Sequence, residues 1–482
     1  MKKRILAMLM LVAMLMSMFA ACGGDTGNGG ETPNNSTGAV GNFAVPEGGY
    51  DGSAVTIKFA HTMGAKLQEV LNYHIGEFNK LYPNITVEHS SYGGWSDISG
   101  LINTEIMGDN QPNVAYCYPD HVASYNMSKS VVILDDLINS QVNVTRDDGT
   151  TEVLGLTEEQ ILDFIDGFYN EGKQYGDGLM YTMPMSKSTE VLYYNKTFFE
   201  TNNLTVPETW DEMEALCEKI LELDPKCYPL GYDSEDNWFI TMCEQNGYPY
   251  TSAAADSEHY LFNNDDCKSF VKKLRDWYQK GYVTTEELYG SYTSGLFTEL
   301  DKNVSHSYMC IGSSGGASYQ IPENGAFEVG VAPIPQVSED NQKVISQGPS
   351  LCILKGGKTT DQQVLASWLF VKYLTTNMAF QTEFSSTSGY MPVLESAQEN
   401  ETYAAWLAKA NGGDFLTALV VKVGLEEADT YFTSPAFNGS SVARAQVGAL
   451  LAKCMSEQTD NVDTLINTAF EDAYDNCVFL GG

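Results

Sequence analysis

Positive charge is what this chain has least of. Lysine and arginine together number 27 against 63 aspartates and glutamates, a formal net charge of −36. Lys2, Lys3 and Arg4 lie in a leader-like start, so a chain cleaved after it carries 24 basic residues and a net −39. A surface of that sign repels phosphate backbones, which argues against a nucleic-acid role, and it repels anionic lipid for the same reason. Arginine is scarcer still, with only Arg146, Arg275 and Arg444 beyond the start. Arginine forks are the usual grip on anionic ligands. Their shortage favours a neutral ligand, although lysines and helix N-termini also hold anions.

Metal and catalytic signatures are missing as well. The ten cysteines include no C-x-x-C pair or clustered ligand spacing, which argues against a structural zinc site. Without Cys22 nine remain, an odd number that leaves at least one free thiol. Most read as small buried hydrophobes, and no bridge can be assigned. No Ser-His-Asp, H-E-x-x-H or Walker pattern occurs. Long apolar runs are confined to the start. Lys2, Lys3 and Arg4 precede an apolar stretch from Ile5 to Met18, short for a bilayer span, and Phe19-Ala20-Ala21-Cys22 follows. This start resembles a bacterial lipoprotein signal, with Phe19 where leucine is usual. A plain secretory signal cleaved near Ala20 or Ala21 is the alternative. The Gly-, Asn-, Thr- and Ser-rich stretch that follows reads as a flexible tether, which makes sense if its start is anchored. Residues 1–21 are therefore expected to be a signal peptide, Cys22 the lipidation site and 22–52 a linker.

A chain of 482 residues is too long for one core, so two lobes are expected. The segment Tyr181–Lys196, YTMPMSKSTEVLYYNK, organises them. Pro184 blocks a helix and keeps its predecessor extended. Ser186, Ser188 and Thr189 set small hydroxyls on a slim backbone, and Val191 to Tyr194 read as a buried strand. Thr197 is expected to cap a helix from Phe198, with Glu200 as its capping-box partner. Upstream, a strand at 54–59, a helix at 65–81, a strand at 85–88, a helix at 96–107 and a strand at 112–117 make a β-α-β-α-β opening. Tyr118 to His121 end the last of these strands, where ligands meet α/β sheets.

P-x-x-x-S-T-x-V-L-Y-Y-N-K (Pro184–Lys196), the following P-x-T-W-D-E (Pro207–Glu212) and F-N-K-x-Y-P-N-I-x-V (Phe78–Val87) together resemble the extracellular solute-binding proteins of ABC importers. The likeness is closest to the branch of glycerol-3-phosphate and oligosaccharide binders and spans roughly residues 54–475. It implies an α/β periplasmic-binding-protein fold: two lobes, three crossing segments and a ligand cleft between them. The implied division is 53–188 with 310–352 for lobe one, and 189–309 with 353–482 for lobe two.

The resemblance also implies site residues. Trp95 takes the place of an aromatic that stacks on the ligand, a face suited to sugar C–H groups; the alternative is that it plugs a lobe surface. Asp120 stands one place after a family carboxylate as a hydroxyl acceptor, with His121 second; either could instead cap the next helix. Ser188 lies in the first crossing. Ser307–Gly316, containing Ser314, resembles the second crossing, and Gly348 marks the third. Trp238 corresponds to a cleft tryptophan, and Tyr390 in Ser388–Val393 matches a T-G-Y-x-P turn that reaches the ligand. Phe437 stands where glycerol-phosphate binders carry an arginine, and Arg444 falls on the following helix.

The expected function is a lipid-anchored, extracellular substrate-binding protein that captures a neutral sugar or oligosaccharide by hinge closure and hands it to a permease pair. It is expected to be a monomer with no cofactor, metal or catalytic residue. Glycerol-3-phosphate or a glycerophosphodiester is the alternative ligand. A surface glycoside hydrolase is the alternative of another class, since 63 acidic residues always allow a suitable carboxylate pair to be drawn.

Overall fold

The computed structural model describes residues 42–254, 257–299, 306–410 and 415–481, all within a unit spanning 39–482. The expected signal peptide and Cys22 lie outside these residues. The expected linker ends earlier than position 52, because Phe43 and Tyr50 are buried in the first core, with Tyr50 edge-on to Tyr82.

Strand β1 (Val55–His61), helix α1 (Ala65–Leu81) and strand β2 (Ile85–Ser91) form the opening β-α-β unit. Val70, Leu71, Ile75 and Phe78 recur at helical spacing and form the buried face of α1. Helix α2 (Trp95–Met107) leads to β3 (Val114–Cys117), buried along its length, and α3 (Pro119–Tyr125) follows. Pro119 opens α3, where its missing N–H costs nothing. The acidic stretch after α3 contains a small hairpin, Asn143–Thr145 with Thr151–Val153. Helix α4 (Asp166–Glu171) then precedes β4, only Met183–Pro184, at the edge of the first sheet where proline is tolerated.

After three residues the chain becomes β5 (Ser188–Asn195), a central strand of a different sheet. Alternation buries Leu192 in one core and Val191 and Tyr193 in another, so both faces of β5 are covered. The helix after it begins at Lys196, and Asn195 caps it by accepting from Phe198 N at 2.9 Å. The expected Thr197 cap is thus two residues too late; Thr197 Oγ1 accepts from Glu328 N instead. Helix α5 (Trp210–Leu223) has the expected polar start, a capping box between Thr209 and Glu212. Next come β6 (Tyr228–Tyr232), α6 (Glu235–Asn246), α7 (Asp265–Gln279) and β7 (Val283–Thr285).

Strand β8 (Ser307–Ser313) pairs with β5 and β6, and after a 3-10 turn at Ser314–Gln320 the chain returns to β5 as β9 (Val329–Ala332). The expected second crossing at 307–316 therefore stays inside the second sheet. The crossing occurs between β10 (Val344–Gln347) and β11 (Ser350–Ile353), at Gly348-Pro349, where the sequence placed the third. Helices α8 (Asp361–Thr376) and α9 (Met378–Ser388) put Trp368, Phe370 and Phe384 into the first core. A long connection carrying α10 (Leu416–Glu426) then rejoins the second sheet at β12 (Tyr431–Phe432), and α11 (Ser440–Ser456) and α12 (Val462–Gly481) close the chain.

The first sheet runs β2-β1-β3-β11-β4 and the second β12-β10-β5-β8-β6-β7, with β9 also on β5. Two lobes result, joined at 185–187, at 348–349 and by the connection after α9. Sheet membership puts β8, β9 and β10 in the second lobe and α8 and α9 on the first. The sequence division had given 310–352 to lobe one and 353–482 to lobe two. Its reason was the misplaced crossing, since a short apolar strand running into a Gly/Ser turn looks the same whether or not the next strand changes sheet. The nine cysteines among the described residues are buried and form no disulfide.

Candidate functional site

Between the lobes lies a cavity of about 300 Å³. The first lobe supplies the carboxyl ends of two parallel strands, where the backbone leaves the sheet and side chains converge. After β2 comes Trp95, the first residue of α2. After β3 come Tyr118, Pro119, Asp120 and His121. The Trp95 indole lies 4.1 Å, centroid to centroid, from the Tyr118 ring at a 30° tilt, and 6.0 Å from Tyr116. Glu171, ending α4, completes this wall. Burial lowers the pKa of His121 against the opposing pull of Asp120, so its imidazole is neutral near pH 7.

The second lobe answers with the start of α6 (Ser234, Asp236, Asn237), the tip of β10 (Ser346, Gln347), the loop at Thr433–Pro435, and Arg444 from α11. Arg444 is the one cationic side chain in the wall among the described residues. Its Nη1 donates to Asp236 Oδ2 at 3.1 Å and to Asn237 Oδ1, and its Nε lies 3.8 Å from Asp120 Oδ2 across the cleft. Asn237 passes the network inward by donating to Glu190 Oε1 at 3.1 Å, and Tyr232 donates to the other oxygen of Glu190. Burial pushes the Glu190 carboxyl up to about 8 despite those two hydrogen bonds. Glu171 is neutralised from behind by buried Lys187. Three carboxylates thus meet two cations around the cavity, leaving no surplus of positive charge. Three hydroxyl oxygens in the wall, Thr251 Oγ1, Ser346 Oγ and Ser434 Oγ, are buried with no hydrogen-bond partner among the described residues.

Of the residues singled out from sequence, Trp95 and Asp120 stand together in the wall, with His121 beside them. The others lie elsewhere. Ser188 is buried in register with Gln347, which reaches the cavity in its place. Trp238 is fully buried in the second core, stacked on Tyr232 at 4.6 Å and 11°. Ser314 Oγ accepts from Thr189 N at 3.2 Å, an internal tie of the second lobe. Gly348 backs onto the first crossing: a Cβ there would stand 2.8–2.9 Å from Ser186 O, Lys187 Cα and Ser188 N. The Tyr390 ring closes on Gly315. Phe437 stacks on His259 at 4.6 Å. Asp236, Asn237 and Glu171 were not singled out from sequence, and Arg444 was named only as lying on the helix after Phe437. The one available signal was the rarity of arginine, which makes each one worth tracing.

Comparison with known proteins bears on this arrangement. The model of the bacterial extracellular solute-binding proteins matches residues 75–411. The sn-glycerol-3-phosphate-binding periplasmic protein UgpB of Pectobacterium atrosepticum is 23% identical over 390 residues, covering 78% of this chain and 81% of the relative. Its counterpart in Salmonella typhimurium is 23% identical over 380 residues, covering 76% and 80%. Among solved structures, UgpB from Mycobacterium tuberculosis in complex with glycerophosphocholine superposes with a TM-score of 0.68 at 18% identity, over 89% of this chain and 98% of that one. The cyclic alpha-maltosyl-1,6-maltose binding protein of Arthrobacter globiformis gives 0.66 at 18%, over 88% and 99%.

Proposed function

The chain belongs to the bacterial extracellular solute-binding proteins, and from that premise we propose that it is the receptor of an ABC importer for a neutral, hydroxyl-rich ligand, a sugar or oligosaccharide. As a solute-binding protein it is not an enzyme, and the glycosidase reading falls away with the family. The observation that carries the ligand class is the cavity wall. An indole beside a phenol offers apolar faces for sugar C–H groups. The Asp120 and Asp236 carboxylates in the wall accept hydrogen bonds from ligand hydroxyls. Binding is read as closure of the two lobes about the three crossings, with the closed form presented to the permease. Trp95 and Asp120 are proposed as contacts from the first lobe, and Asp236, Asn237 and Arg444 from the second.

Two observations favour a second reading, a glycerol phosphate ester: Arg444 is in the wall, and relatives are named for sn-glycerol-3-phosphate. Its guanidinium is already shared between Asp120 and Asp236, so a phosphate would have to displace carboxylates of its own sign. That cost places the ester second. A thermal-shift screen of the mature domain against neutral mono- and oligosaccharides, sn-glycerol-3-phosphate and glycerophosphodiesters separates the two. A ligand at 100 times its dissociation constant stabilises by about 2.7 kcal/mol. Shifts with neutral sugars support the reading, and shifts confined to phosphate esters reverse the order.

Anchoring through a lipid on Cys22 is proposed on the sequence alone, and it places the receptor on the outer face of the membrane. Replacing Cys22 with alanine should release the protein from the membrane fraction into the medium. Retention in the membrane fraction would count against a lipid at this position.

A further inference from the structure

The first crossing carries a charge with no route to solvent. Lys187, midway between β4 and β5, is 0% exposed. Its Nζ donates to Glu171 Oε1, to Ser350 Oγ at 2.9 Å and to Gly348 O at 3.5 Å. Ser350 Oγ in turn donates to Glu171 Oε1 at 2.9 Å. The backbone of Lys187 pairs with Met391 in both directions, N to O at 3.1 Å and O to N at 2.6 Å. All three links between the lobes therefore meet at this residue: its own, the second through Gly348 and Ser350, and the third through Met391. The other oxygen of Glu171 accepts from Thr433 Oγ1 at 3.3 Å, just past the point where the chain rejoins the second sheet. Glu171 and Thr433 both belong to the cavity wall.

A buried ion pair gains little over an apolar pair of the same volume, because desolvating two charges offsets most of their attraction. What it does supply is a fixed arrangement of its partners. We propose that Glu171 is a hinge-positioning residue. One of its oxygens is tied to the crossings by Lys187 and Ser350. Among the described residues the other is held by Thr433, through a long hydrogen bond within the cavity wall. A donor group of a bound ligand that takes this second oxygen displaces Thr433, so occupancy of the cavity reaches the crossings through a single carboxylate. The coupling rests on the reading of the protein as a receptor that closes on its ligand, whereas the positioning role is a property of the empty protein.

Two variants test it: Thr433→Val, which leaves the ion pair intact, and the double variant Glu171→Gln with Lys187→Met, which leaves no unpaired charge. Interlobe distances are measured by pulsed electron–electron resonance with spin labels at Met107→Cys and Lys219→Cys, both exposed sites on opposite lobes. The nine native thiols among the described residues are buried and escape labelling, and the mature domain is prepared without Cys22. The expected result, in ligand-free and still cooperatively folding proteins, is at least a twofold change in the ratio of long to short distances, larger for the double variant. A merely structural role would lower the melting temperature and leave that ratio alone. Folded variants that both reproduce the wild-type distribution overturn the proposal. Wild-type protein is also measured with maltose and with sn-glycerol-3-phosphate. A distribution that moves with neither counts against the closure reading, while the ligand-free comparison still decides the role of Glu171.

Discussion

At the scale of single residues, Trp95 and Glu190 give the sharpest expectations. Trp95 is half-buried at the start of α2 and contributes a ring face more than core volume. Aromatic contacts of this kind are worth about 0.5–1.5 kcal/mol, so Trp95→Ala should weaken sugar binding by about two- to tenfold in a calorimetric titration, with an almost unchanged melting temperature. Unchanged affinity would remove Trp95 from the site. Glu190 bears on pH. Burial lifts its carboxyl from 4.5 to about 8. Between those values the folded chain holds a proton that the unfolded chain has released, so the contribution of this group to stability falls as pH rises through the window. Glu190→Gln keeps the neutral form at every pH. The stability difference, variant minus wild type, should therefore grow from about pH 5 to pH 8.5 by an amount on the order of a few kcal/mol. Glu286, raised to about 7, and Glu427, raised to about 8, slope the same way in both proteins and cancel in the difference. A difference that stays flat across the window would mean that Glu190 is ionised in the fold.

At the scale of elements, the second crossing is the place where one atom decides. Gly348 has φ +92, and its missing Cβ leaves room for the backbone of the first crossing at 2.8–2.9 Å. Gly348→Ala should destabilise by at least about 1–3 kcal/mol in chemical denaturation. Gly316→Ala, with nothing within 4 Å, should be nearly neutral. Equal effects would show that the crossing tolerates a side chain. The same contrast explains what could be read in advance. The β-α-β-α-β opening was legible because each element is specified by its own periodicity, and Trp95 and Asp120, marked by the family resemblance, were legible as residues past the ends of β2 and β3. Trp238 was not. Successive helical residues diverge by about 100°, so Asp236 and Asn237 turn to the cavity while Trp238 turns onto Tyr232 in the core. Arg444 falls on the helix after Phe437, and side chains lean toward the N-terminus of their helix. Arg444 stands near the start of α11, whose N-terminal end borders the cavity. Its partners Asp120 and Asp236 are brought to it only by packing between distant elements, which no local pattern encodes.

At the scale of the whole molecule, Arg444 and Asp120 form an ion pair across the lobes, at 3.8 Å. The other contacts of Arg444, to Asp236 and Asn237, stay within the second lobe, so Asp120→Asn removes the interlobe term and leaves the arginine housed. The pair remains partly open to solvent, with side-chain exposures of 30% for Arg444 and 16% for Asp120, and ion pairs of that kind are worth at most about 1 kcal/mol. The ligand-free balance between closed and open forms should then shift toward open by no more than about fivefold. Small-angle scattering should record this as a modest rise in radius of gyration at low ionic strength. The gap between variant and wild type should shrink in 1 M salt, where the screening length falls to about 3 Å. A larger shift, or one indifferent to salt, would mean that Asp120 does more than face a cation and that its hydrogen bond to His121 N at 3.0 Å holds the wall itself in place. No shift at all would leave closure to the hinge and the ligand alone.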